Sequence, residues 1–432
     1  MRFLVAVMPI AGHVAPVTGL VAELLSRGHE VRVYTGSRYC DRFGSLGAEA
    51  VPWSAAPDFD EHDLAAAGTG PLGPLRLMAK VKEVFLQSGS GQVRDLSAAL
   101  DRGPADLLVS DVLSVGAGLL AELRDLPWAG LNLLALAVPS RELPPPGLPL
   151  SPAGGQWGRR RDAALWGAYR VVTSGAQRAY NDVRASLGLP RDRDVYGAHL
   201  ISPWLLLATG GPALEEPRTD LPEQVHFVGR LAPAPLANHA PALELPASRP
   251  RVIVTQGTHH LDPNDLLVPA LEGLRDLPLD VVATTGRPGD TDLGVPIPAN
   301  AQVVDFLDFR AALPGSAVLV TNGGWGGVLE ALAAGVPLVV AGGDIDKPGN
   351  AVRVARAGAG VNLRTGRPKP ASVATAVAQV IADPGYAEQA RSIGAELARL
   401  GGTAAAADLL EELVRTRAPV RRAIDPWRHE TR

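Results

Sequence analysis

The densest group of reactive side chains lies between Ala317 and Asn350, AVLVTNGGWGGVLEALAAGVPLVVAGGDIDKPGN. Asn322, Gly323, Gly324, Trp325, Gly326 and Gly327 make a small-residue turn there. An apolar run, Val318–Val320, precedes the turn, and a helical pattern with Val328, Leu329 and Leu332 on one face follows it. Glycines let a backbone approach a ligand, and unpaired N–H groups at a helix start favour an anion. Tight packing alone also explains glycines at such a turn. The flanking residues favour the ligand. Glu330 lies one turn into the helix, and Asp344, Asp346, Lys347 and Asn350 follow a second apolar run, Leu338–Val340. Amides for a diphosphate and carboxylates for hydroxyls suit a sugar nucleotide.

A second reactive residue, His13, stands in the turn Pro9-Ile10-Ala11-Gly12-His13-Val14-Ala15-Pro16. The turn joins an apolar strand, Phe3–Met8, to a helix that buries Leu20, Val21, Leu24 and Leu25. An imidazole titrates near pH ~6.5, so a neutral His13 can take a proton from a hydroxyl. The alternative is a plain polar surface residue. Ligands gather at the carboxyl ends of strands in α/β domains, which favours the first reading.

These residues need two α/β units to hold them. At 432 residues the chain is long enough for two domains, and 46% apolar content supplies their cores. The expected division is an N-terminal Rossmann-like domain over 1–208, a proline-rich linker over 209–250, a second Rossmann-like domain over 251–415, and a tail over 416–432. Trp427 could anchor that tail on the first domain. Linker prolines stiffen the connection. The first βα turn lacks the G-x-G-x-x-G of a dinucleotide site, so a dehydrogenase loses its main support.

Composition excludes other classes. A net charge of −4 gives no electrostatic case for nucleic acid, and Arg159-Arg160-Arg161 reads as a solvated face. The single cysteine, Cys40, excludes an internal disulfide and a cysteine metal cluster. His259-His260 has no third ligand nearby. No run reaches the ~18 apolar residues of a spanning helix. Met1-Arg2 leads straight into a strand without a secretory leader, so a cytoplasmic protein is expected. Only four of the 41 basic residues are lysine, which points to a GC-rich bacterial genome.

The 317–350 stretch resembles the donor-site signature of the GT1-type, GT-B-fold nucleotide-sugar glycosyltransferases. Thr321, Gly323, Gly324, Glu330, Ala331, Leu332, Gly335, Val336, Pro337, Asp346, Lys347 and Asn350 are in register with it. The chain departs at Asn322, where the family usually has a phosphate-binding histidine, and at Gly327, where it usually has Ser or Thr. Gly-His-x-x-Pro at residues 12–16 resembles the family's N-terminal motif.

The resemblance implies a GT-B architecture, two Rossmann-like domains facing each other across a cleft, and an inverting, metal-independent enzyme of the antibiotic or natural-product type. Its implied base is His13, oriented by Asp111 at the end of the strand Leu107–Ser110; the alternative for Asp111 is a helix cap. Its implied donor contacts are Thr258, Asn322, Gly323, Gly324, Trp325 and Gly326 around the diphosphate, Glu330 on the ribose, and Asp346 and Lys347 on the sugar. Val304, Phe306 and Leu307 would hold the base, or form a plain buried strand. The donor would be a UDP- or dTDP-sugar. Asp344 and Asp346 form a D-x-D pair, but a helix N-terminus takes the place of a metal in this fold. The proline-dense segment 135–158 would line the acceptor pocket, with Leu143, Leu148 and Trp157 near a small, partly apolar, hydroxylated acceptor; a plain surface loop is the alternative. A homodimer is left open, with no nucleic acid partner and no membrane span. Competing functions are a nucleotide-sugar epimerase and a non-catalytic partner that activates another glycosyltransferase.

Overall fold

The structure is a computed structural model that describes residues 1–61, 63–64, 73–145, 148, 150, 152, 155–192, 201–234, 249–257, 262–287 and 289–427. Its first sheet has seven parallel strands: β1 (Arg2–Ala6), β2 (Glu30–Thr35), β3 (Glu49–Pro52), β4 (Leu107–Asp111), β5 (Trp128–Asn132), β6 (Leu205–Thr209) and β7 (Val225–Gly229). Their spatial order is β3-β2-β1-β4-β5-β6-β7. The second sheet has six: β8 (Arg251–Thr255), β9 (Asp280–Thr284), β10 (Ala301–Val304), β11 (Val318–Thr321), β12 (Leu338–Val340) and β13 (Gly360–Asn362), in the order β10-β9-β8-β11-β12-β13. These two doubly wound sheets are the GT-B arrangement.

Parallel sheets are covered on both faces, so their strands read as continuous apolar runs. Side chains alternate between faces. In β1, Phe3 and Val5 enter one core while Leu4 and Ala6 enter the other. In the second sheet, Ile253 and Leu319 face one core, and Val252, Val254, Val318 and Val320 face the other.

Four helices matter for the site: α1 (Ala11–Ser26), α2 (Trp325–Ala333), α3 (Lys347–Arg356) and α4 (Gly402–Thr416). Helix α4 lies beyond the second sheet in sequence, yet it buries Ala406, Ala407, Leu410 and Leu413 in the same core as Val14, Val17 and Val21 of α1. Arg27 reinforces this contact, 2.6 Å from Asp408 and 3.1 Å from Glu411. The chain crossing between the halves passes over α1 at Gly19, where a Cβ would overlap the Ala232 carbonyl. The tail continues on the first sheet: Val420 N–H donates to the Trp204 carbonyl at 2.9 Å, and the Trp427 indole donates to the Pro212 carbonyl at 3.2 Å. Among the described residues, no helix is long and apolar enough to cross a membrane.

Candidate active site

Each sheet reverses its winding at one place, and a crevice opens there at the carboxyl ends of the strands. In the first sheet the reversal lies between β1 and β4, which pair in register at Ala6 and Ser110. The expected turn over residues 9–16 is shorter than its Gly and Pro content suggests: α1 already begins at Ala11 and takes Pro16 inside it, so His13 stands in the first turn of that helix, just after β1, and β4 ends on Asp111. The two side chains therefore meet: His13 Nδ1 is 2.7 Å from Asp111 Oδ2. Met8 N–H donates to the same oxygen at 3.2 Å, and Leu113 N–H donates to Oδ1 at 3.1 Å. A carboxylate held this way only accepts, so the imidazole proton sits on Nδ1 and the Nε2 lone pair is left to act as a base.

His13 is buried, and burial works to lower its pKa. The charge and hydrogen bond of Asp111 outweigh this, helped by the charges of Asp346 and Glu61, so the pKa lies above the usual histidine value. Asp346 belongs to the second half of the chain, so its charge favours the His13 imidazolium from the other half.

The second sheet reverses between β8 and β11, which pair at Thr255 and Thr321. The turns Gln256-Gly257 and Asn322-Gly323-Gly324 therefore lie side by side. The Asn322 side-chain amide donates to the Gln256 carbonyl and its oxygen accepts from Gly324 N–H at 3.3 Å. Gly323 has φ of 86°, and a Cβ there would sit 2.6 Å from Val340 Cγ1, so only glycine fits. Asn350, fully buried, donates to the Gly323 carbonyl and to Asp346 Oδ2, 2.9 Å from each. Gly324 offers α2 no side-chain cap, which suits an anion at the helix start.

The C-terminal part matches a family model described as "Erythromycin biosynthesis protein CIII-like, C-terminal domain", over residues 270–413. The chain is also 38% identical over 421 residues to a protein of Lentzea aerocolonigenes named 4'-demethylrebeccamycin synthase, covering 96% of this chain and 99% of that protein. It belongs to the GT1-type, GT-B-fold natural-product glycosyltransferases. The solved glycotransferase of kitacinnamycin superposes with a TM-score of 0.73 at 26% identity, covering 95% of this chain and 98% of the other. The glycosyltransferase VinC, solved in complex with dTDP, superposes with a TM-score of 0.70 at 24% identity, covering 97% and 100%.

In this glycosyltransferase several expected donor contacts already have protein partners. Trp325 is buried, and its indole donates to Thr209 Oγ1 at the end of β6. It ties the turn to the first sheet. Both oxygens of Glu330 accept from Arg230, which follows β7. Lys347 Nζ is 2.7 Å from Asp344 Oδ1, so the D-x-D aspartates part company: one pairs with lysine, the other with Asn350. Gly326 is the second residue of α2, and a Cβ there would meet only open space. Val304 ends β10, Phe306 is 42% exposed and Leu307 packs at the edge of the second core. Thr258 and His259-His260 lie outside the described residues. Of the residues expected near the acceptor, Leu143 and Leu148 line one cavity with Leu136, Val138 and Arg353 of α3. Trp157 does not join them; it is 79% exposed, with Arg160 over its ring.

Glu61, Arg230 and Thr209 contribute to the site and were not visible in the sequence. Glu61 stands in a segment whose Ala, Asp, Gly and Pro content reads as loop. Arg230 and Thr209 act only through contacts between distant parts of the chain.

Proposed function

We propose that this glycosyltransferase inverts the anomeric centre and works without a metal, moving a sugar from a UDP- or dTDP-type donor to a hydroxyl of a small, partly apolar acceptor. The observation that carries the reading is the His13–Asp111 pair, buried at one crevice with Asp346 of the other crevice close enough to act on it. His13 Nε2 takes the acceptor's hydroxyl proton, and Asp111 stabilises the imidazolium. The acceptor oxygen forms a bond to the anomeric carbon as the bond from that carbon to the diphosphate breaks, and the nucleoside diphosphate leaves with the electron pair. Attack opposite the leaving group inverts the centre.

Charge on the leaving diphosphate is met by N–H groups of the turn from Asn322 to Gly326, and the Thr258 hydroxyl is a further donor for it. Asp346 and Lys347 hold sugar hydroxyls, and Glu330 takes ribose hydroxyls with the lone pairs that Arg230 does not use. Val304, Phe306 and Leu307 hold the base. Leu143 and Leu148 supply an apolar wall for the acceptor. VinC with dTDP supports a diphosphate nucleotide as the donor's leaving part. Closure of the cleft keeps water from hydrolysing the donor.

Calorimetry with UDP and dTDP in EDTA tests the donor half. Micromolar binding without metal is expected, and no binding to either nucleotide would sink the reading. Product NMR from an acceptor screen, with His13→Ala as control, tests inversion. A product that retains the donor's anomeric configuration would rule the mechanism out.

A further inference from the structure

We propose that Glu61 is a positioning residue for His13: its buried carboxylate caps the first turn of α1 from outside the helix and holds that turn against Tyr39. The inference rests on His13 as the base.

Helix α1 begins without a cap of its own, because the residue at its N-cap is Ile10, whose side chain has no acceptor. The carboxylate of Glu61 supplies one across fifty positions of sequence, with Ala11 N–H donating to Oε2 at 2.9 Å. The other oxygen, Oε1, accepts the Tyr39 hydroxyl at 2.6 Å. Glu61 is only 4% exposed and Tyr39 8%. Tyr39 lies just after β2 and Ala11 just after β1, so one carboxylate joins the chain beyond two adjacent strand ends. His13 sits two residues from the capped amide. A negative charge at a helix N-terminus is also favourable in itself.

A buried carboxylate in this place has a consequence for chemistry. Among the described residues, the charges of Asp111, Asp346 and Glu61 act on His13, and all three favour the imidazolium against burial. Glu61 thus fixes where the base sits and adds to its strength.

Two variants separate these effects. Glu61→Gln keeps an acceptor for Ala11 and a polar partner for Tyr39 but removes the charge; Glu61→Ala removes both. The readouts are the His13 pKa by imidazole NMR and the pH profile of kcat/KM. Removing the charge lowers the His13 pKa, so in Glu61→Gln the NMR titration and the low-pH limb both move to lower pH by a few tenths of a unit. Glu61→Ala shows the same shift and also loses kcat by roughly tenfold, because the turn is no longer held, whereas Glu61→Gln loses less. Unchanged His13 titration and unchanged kcat in both variants would overturn the proposal, as would a loss of melting temperature alone. His13→Ala with full activity would instead remove the base itself, while the NMR shift in Glu61→Gln would still report the contact.

Discussion

One guanidinium nitrogen of Arg230 donates to both oxygens of Glu330, 2.9 Å from each. The pair links the residue after β7 to helix α2 of the other half, and its side chains are 26% and 17% exposed. Removing the arginine strands a mostly buried carboxylate. Arg230→Met is expected to cost about 1–3 kcal/mol. The double variant Arg230→Met/Glu330→Met recovers most of that loss, since neither charge is then left alone. Thermal denaturation of the four proteins checks this; additive losses would contradict it. If Glu330 holds ribose, UDP raises the melting temperature of Glu330→Met less than that of wild type.

The pH dependence follows from His13. Its pKa is held above the usual value by Asp111, with Asp346 and Glu61 adding to the effect. The base must be neutral, so kcat/KM rises with pH through this raised pKa, and the limb lies above ~6.5. Stability runs the other way. A pKa raised on folding contributes stability that is fully present below the unfolded value and is lost as pH rises through the folded one. His13→Ala should lower kcat by about 10²–10⁴-fold. Asp111→Asn removes the charge that offsets burial, so the limb moves to lower pH while the plateau falls. A pH profile of the Asn variant that overlays wild type would show that Asp111 does not act through the imidazole.

Both half-sites could be read from sequence because each is local. A strand, a small-residue turn and a helix follow one another within about a dozen residues, and periodicity exposes all three. His13 and the Asn322–Gly326 turn announce themselves in this way, and Asp111 does so by ending an apolar run. Contacts that join distant segments leave no such pattern. Glu61 reaches Ala11, Thr209 reaches Trp325 and Arg230 reaches Glu330 across fifty or more positions of sequence. Helix α4 shows the same limit: its amphipathic pattern predicts a helix with a buried face, but not that the face belongs to the first sheet. Trp157 shows the opposite case, since a tryptophan in a proline-dense stretch suggests a pocket and stands in the open instead.

Trp325 gives a prediction about how the halves are held. Its indole donates to Thr209 Oγ1 at 3.2 Å, and Thr209 Oγ1 in turn donates to the Asn132 carbonyl at 3.0 Å. Gly210 lies under the ring with φ of 97°, and a Cβ there would come within 2.7 Å of Trp325 Cζ2. Trp325→Phe should cost about 1 kcal/mol for the lost hydrogen bond. Gly210→Ala should cost more, about 1–3 kcal/mol, since it strains the backbone and displaces the ring together. Melting curves rank the two variants. A Gly210→Ala protein as stable as wild type would show that the ring has room to move.

The two departures from the family's donor signature should respond differently to repair. At Gly327 a Cβ meets nothing nearer than Phe309 Cε2 at 3.9 Å, so serine fits without movement. It also removes the flexibility cost of glycine in a helix, worth about 0.5 kcal/mol. Gly327→Ser is therefore expected to be stable and to bind UDP or dTDP several-fold more tightly, through a hydroxyl at the start of α2. Asn322 is another matter, because its amide is already committed to the Gln256 carbonyl and the Gly324 N–H. An imidazole at that place would have to abandon at least one of these bonds, and the neighbouring turns would separate. Asn322→His alone should lower stability without tightening nucleotide binding. Calorimetry and melting of the two variants decide the point: a histidine that strengthened binding at no cost in stability would mean that the Asn322 clasp does not hold the turn.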